Sequence, residues 1–220
     1  MVKYMCSNCW SSHKHREVSM WKYFKEMERI LSVQELNDLA TEVAEAYADP
    51  RGTYETTKKM LAEEFEMTPN IVDKLLDYAV VHSLVSSAVV YRMEKRAEKN
   101  QSRYSPDKKA HSVHTHYSEL RRKRIEYQIC MLTEVEIREV AVRFAENSQI
   151  TKEDLAISYG LDKSSIDVIL KKAITENICD DETFKKIERR SLAVNGDPQV
   201  KEFFNQLRKR REATKKNFFA

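Results

Sequence analysis

The sequence predicts an all-α chain: two related helical units in tandem, with additional helices on the N- and C-terminal sides. Three observations point there. Of 220 residues, three are Gly and four are Pro, against averages of about 7% and 5%; these residues punctuate sheets and turns, so their scarcity favours long helices. Charged residues make up 33%, and Leu, Ile, Val, Ala and Glu recur at spacings of three and four, the period of a helix with one buried face. The third observation is that the chain repeats itself.

Leu61 begins LAEEFEMTPNIVDKLLDYAVVHSLVSSAVVYRMEKRA, and 94 positions later Leu155 begins LAISYGLDKSSIDVILKKAITENICDDETFKKIERRS. Apolar positions coincide: Leu61 with Leu155, Phe65 with Tyr159, Met67 with Leu161, Val72 with Ile166, Leu75 with Ile169, Leu76 with Leu170, Ala79 with Ala173 and Leu84 with Ile178. Upstream, VAEAYA at 43–48 resembles VAVRFA at 140–145; with a different gap, LRRKR at 120–124 parallels LRKRR at 207–211. Matched apolar positions with divergent polar ones indicate one fold used twice. The units expected are 33–127 and 131–213, each running helix, turn-rich segment, paired helices, further helix and basic end. Residues 1–32 form an N-terminal segment with a helix over the apolar residues from Trp21 to Leu31.

In the second copy, Leu155 and Ala156 are followed by Gly160, Leu161, Ile166 and Ile169. The pattern reads as a short helix, a tight turn and a second helix burying Ile166, Ile169 and Leu170. Ala156 allows close approach, Gly160 can take the positive φ that ends the first helix, and Asp162 can cap the second. Over about twenty residues this resembles the helix-turn-helix DNA-binding superfamily, in particular the tandem-capable regulators of bacteria and phages. The first copy has Leu61, Ala62, Met67, Val72 and Leu75, but Glu66 stands where the family prefers Gly, which puts its turn geometry in question. Thr68 and Pro69 still make a cap and first turn.

The resemblance implies double-stranded DNA as partner, transcription regulation as role, and a second helix of each pair entering the major groove. Its outward residues would be Lys163, Ser164, Ser165, Val168 and Lys171 in the second copy, with Asp167 among them, and Asn70 and Lys74, flanked by Asp73 and Asp77, in the first. Lys and Ser contact phosphates or bases and Asn pairs with adenine, whereas Asp at best accepts from cytosine N4. The expectation is therefore that the second copy reads DNA and the first has a weaker or different role. The rival reading is a protein-binding inhibitor or adaptor, phage-encoded in type, that sets the acidic first unit (Glu63, Glu64, Glu66, Asp73, Asp77) against a basic partner surface.

The net charge of +3 conceals an uneven distribution. Residues 25–66 carry eleven acids against five bases, and residues 201–220 seven bases against two acids. Arg121, Arg122, Lys123 and Arg124 end the first copy as Arg208, Lys209, Arg210 and Arg211 end the second. Such clusters read either as solvated charge at helix C-termini or as phosphate contacts; their recurrence favours phosphates. Gln101 to His116 lacks apolar periodicity and reads as a linker. Val200, Phe203, Phe204 and Leu207 form one helical stripe that reads as core or as subunit contact, the latter implying a homodimer.

Cys6, Cys9, His13 and His15 fall within ten residues, and a Cys-x-x-Cys turn with histidines has the donor types of a zinc site. Zinc is the cofactor of that reading, with His111, His114 and His116 as alternative ligands; the competing reading is a flexible terminus with two free thiols. Cys130 and Cys179 lie in apolar helical context and read as small hydrophobes. No Gly-rich phosphate loop, H-E-x-x-H or G-x-S-x-G occurs, so a non-enzymatic protein is expected. No run approaches a membrane span and no signal-peptide core is present, so a cytoplasmic protein without membrane contact is expected.

Overall fold

The computed structural model describes residues 31–49, 57–104, 111–195 and 198–218. All regular structure among them is α-helical. No helix among them is long and apolar enough to cross a membrane. The chain divides into two compact units, residues 1–130 and 131–220. The first holds α1 (Val33–Ala48), α2 (Lys58–Glu64), α3 (Pro69–Val81), α4 (Ser87–Tyr104) and α5 (His111–Cys130). The second holds α6 (Glu134–Glu146), α7 (Lys152–Tyr159), α8 (Lys163–Thr175), α9 (Asp181–Asn195) and α10 (Pro198–Phe218).

In the first unit α1 packs on α2, α3 and α4, α3 packs on α2 and α5, and α4 packs on α5. In the second, α6 packs on α7, α8 and α9, α8 on α7 and α10, and α9 on α10. Helix for helix, these are the same pairings. The internal repeat of the sequence is a repeat of architecture.

Thr68 and Asp162 occupy the N-cap positions of α3 and α8 with extended backbone but make no side-chain bond to the first turn. Other helices start where their first-turn N–H groups find side-chain acceptors. Ser32, Thr133 and Thr151 each close a reciprocal box with the carboxylate three residues on, Glu35, Glu136 and Asp154, satisfying donors that a helix start leaves open. These caps hold the Glu35 and Asp154 carboxyls below the usual carboxylate range. Leu36, Val43 and Tyr47 of α1 meet Leu61, Val72 and Leu75 in the first core; Ile137, Val140 and Phe144 of α6 stand with Leu155, Ile166 and Ile169 in the second. Each such side chain contributes roughly 1.5–3 kcal/mol by leaving water.

The turns repeat in backbone detail. Gly160 has φ 64° and Glu66, its counterpart, φ 52°; Asn177 and Ser83 both have φ 58°. Behind the first pair, Leu161 N–H donates to Ala156 O and Met67 N–H to Ala62 O, both at 2.8 Å. Behind the second, Ile178 N–H donates to Ala173 O and Leu84 N–H to Ala79 O, both at 3.0 Å. The first copy thus makes its turn without glycine, accepting left-handed strain at Glu66 that costs roughly 1–2 kcal/mol. Space around Gly160 is open, with nothing within 4 Å of an added Cβ, so Gly160→Ala isolates the backbone term. It is expected to lower stability by about 1 kcal/mol, read by urea denaturation of the full chain; an unchanged midpoint would contradict the strain argument.

Side-chain locks repeat as well. Lys58 pairs with Asp73 as Lys152 pairs with Asp167, tying each short helix to the next. Arg96 donates to Asp49 O and Arg190 to Phe144 O and Asn147 O, closing the C-terminal ends of α1 and α6. Arg121 reaches Glu94, and Arg208 reaches Glu188.

The stretch from 101 to 116, expected as a linker, is helical over much of its length: α4 runs to Tyr104 and α5 starts at His111. Its described residues carry little apolar surface: Val113 is half-buried against the first core, while Ser112, His114, Thr115 and His116 are exposed, so no apolar period marks the helix.

Candidate nucleic-acid interface

In the second unit α7 ends at Gly160, and Asp162 sits at the cap of α8 with extended backbone. Three turn residues therefore separate two helices, the short first one held by Leu155 and Ala156, both buried. On α8, Ser165, Ile166, Ile169, Leu170, Ala173 and Ile174 face the core. Lys163, Ser164, Asp167, Val168 and Lys171 stay exposed on the other side. Lys163 Nζ lies 3.3 Å from Glu153 Oε2, and Asp167 is held by Lys152. Lys171 makes no ion pair among the described residues.

Ser165, expected among the outward residues, faces inward instead. Ser165 is fully buried, because it lies one position from Ile166 on the inward arc of α8; it is unavailable to a duplex on the outer face.

The first unit has the same helix pair with a different surface. On α3 only Pro69 and Asn70 are exposed. Lys74 is half-buried, Asp73 is tied to Lys58, and Asp77 accepts from His116 Nε2 at 3.0 Å. That bond raises the His116 pKa above the ordinary histidine value. Glu63, Glu64 and Glu66 are exposed nearby in sequence. The outer side of α3 is thus more covered and more acidic than that of α8.

The basic clusters divide into surface and core. Arg124 is 5% exposed and donates through Nη1 to Val80 O (3.2 Å) and Val85 O (2.8 Å). Arg211 is 4% exposed and donates to Ile174 O (3.1 Å), Cys179 O (2.8 Å) and Asp181 Oδ1 (2.8 Å). Neither reaches phosphates; each cross-links the end of one helix to the loop that follows it. Arg121 and Arg208 are engaged by Glu94 and Glu188, and Arg122 by Glu119 and Glu126. Lys123 is half-buried, while Lys209 and Arg210 are exposed. Recurrence of the cluster therefore has a packing cause. The sequence signal for it was present: Leu120 and Leu207, both buried, each precede a buried arginine by four residues.

The chain matches no protein-family model, no curated protein and no solved structure.

Cys6, Cys9, His13 and His15 lie outside the described residues. Two of the alternative zinc ligands are otherwise engaged: His114 Nδ1 lies 3.1 Å from Glu94 Oε1, and His116 holds Asp77. Burial works against the Glu94 charge, but bonds from Arg121 and His114 outweigh it and hold its carboxyl below the usual range. Among the described residues no group of three His, Cys, Asp or Glu is placed to hold a metal ion. Cys179 is a buried free thiol whose pKa burial pushes up; Cys130, at the end of α5, is half-buried.

Proposed function

We propose that the protein is a sequence-specific DNA-binding regulator that lays α8 in the major groove of a duplex. The observation carrying this reading is the outward stripe of α8, where two lysines, a serine and a valine are exposed behind a short helix and a three-residue turn. Such a stripe on the second helix of a pair is what base-edge reading requires. Lys209 and Arg210 add sequence-independent attraction to phosphates. The second unit is the reader. The first unit, with α3 half-covered, contributes chiefly architecture, so one chain meets one half-site and a palindromic operator takes two chains.

The test is selection of bound duplexes from a random pool by the full chain, followed by anisotropy titration. Combined Lys163→Ala, Ser164→Ala and Lys171→Ala substitution is expected to weaken binding at least tenfold and to make the salt dependence shallower. Unchanged affinity would overturn the assignment. A second reading rests on exposed Glu63, Glu64 and Glu66: a protein-binding module facing a basic partner. A chain that shifts no duplex at low salt favours that module.

A further inference from the structure

We infer that Val168 is a thymine-reading residue of the α8 face, so that the bound site carries an A·T pair where this side chain meets the groove. The inference rests on the duplex reading proposed above and specifies its chemistry. Helical spacing puts Ser164, Val168 and Lys171 on one stripe, and all three are exposed. Val168 is the apolar member, 40% exposed.

The fold does not need an apolar group there. The counterpart of Val168 in the first unit, 94 positions earlier, is Lys74. Ile157 on α7 is 75% exposed, and its counterpart is Glu63. Two positions that are charged in one copy of this architecture are thus apolar and outward in the other. The shared architecture does not call for the change, since the same pairs of helices pack in both units and the core residues Ile166, Ile169 and Leu170 lie on the opposite arc of α8.

In the major groove the thymine 5-methyl is the apolar feature of the base edges. The remaining stripe fits that reading. Lys171 and Ser164 offer donors to purine N7 and O6. Asp167, which would accept from cytosine N4, is held by Lys152, and the same pair, Lys58 with Asp73, recurs in the first unit. That carboxylate serves the join between the two helices rather than a base. The face therefore presents the donors of Ser164 and Lys171 and one apolar group, with Asp167 held by Lys152 and Lys163 paired with Glu153.

The probe is the duplex selected by the wild-type chain, compared with the same duplex carrying deoxyuridine in place of thymidine, which removes only the methyl groups. Wild type is expected to bind the deoxyuridine duplex about fourfold more weakly, the order set by one buried methyl. In Val168→Ala the ratio of the two affinities is expected to fall close to one. The ratio is the readout because a general folding defect lowers both affinities and leaves it unchanged. Equal binding of the two duplexes by wild type, or an undiminished ratio in Val168→Ala, would overturn the inference while leaving duplex binding in place. Failure to select any duplex would overturn the proposed function itself.

Discussion

Arg211→Met is expected to destabilise the second unit by about 2–4 kcal/mol, the cost of leaving two main-chain acceptors without their charged donor. Asp181, exposed and still paired with Lys215, does not become a buried lone charge. The guanidinium is nearly inaccessible and serves three acceptors: Ile174 O at the end of α8, Cys179 O in the loop, and the Asp181 carboxylate at the start of α9. Its own backbone carbonyl accepts from Asn177 Nδ2 at 3.3 Å. Without the side chain, two main-chain carbonyls lose a charged donor, at roughly 1–3 kcal/mol for each group left unsatisfied. Arg211→Lys retains the charge but not the planar fork that spans separate oxygens, so it recovers only part of the loss. Arg124→Met is expected to do the same to the first unit through Val80 O and Val85 O. Neighbouring Lys209→Met and Arg210→Met, at exposed positions, are expected to stay within about 0.5 kcal/mol of wild type. Denaturant unfolding of the full chain followed by helical circular dichroism checks all of these. If Arg211→Met behaves like Lys209→Met, the buried arginine is not a lock.

The first unit is expected to lose about 3 kcal/mol as pH falls from 6.5 to 4, through His82. This side chain follows the last turn of α3, stacked on Tyr78 at 4.0 Å and tilted against Tyr127 at 4.7 Å. Burial lowers its pKa to about 4 from 6.5. The folded chain therefore resists a proton that the unfolded chain takes up readily. The stability so gained is fully present above pH 6.5 and drains away as pH falls towards 4. His116 works in the opposite sense: its bond to Asp77 raises its pKa, so its contribution is present below the ordinary histidine value and is lost as pH rises through the raised one. His82→Phe keeps an aromatic ring between the two tyrosines and removes the titration. Between pH 7 and pH 4 the variant is expected to lose less stability than wild type by that same amount; parallel losses would assign acid sensitivity to the carboxylates instead.

The duplication was legible because it is written in apolar side chains. Leu61 and Leu155, or Leu75 and Ile169, occupy equivalent buried places, and burial constrains residue type more tightly than any surface role. The helix pair at 152–175 was legible for the same reason, aided by Gly160. Its counterpart was harder to read, since Glu66 adopts a backbone conformation that its residue type disfavours; the surrounding helix pairing imposes it. The region from 101 to 116 escaped because it sets little but Val113 against the core, and hydropathy is blind to a helix without an apolar face. Hydropathy also turned Arg124 and Arg211 into surface charge: an arginine buried against carbonyls and one facing solvent have the same letter. What separates them is position, four residues after buried Leu120 and Leu207, and a set of partners that are mostly main-chain oxygens, which carry no sequence signature of their own.

Placing the key arginine on the last helix of each unit has a consequence for synthesis. Among the described residues, four helices of the first unit are synthesised before residue 124, and four of the second before residue 211. Until then the carbonyls awaiting these side chains must be satisfied by water. Each unit can therefore gather its helices early but seals late, and translation orders the two closures one after the other.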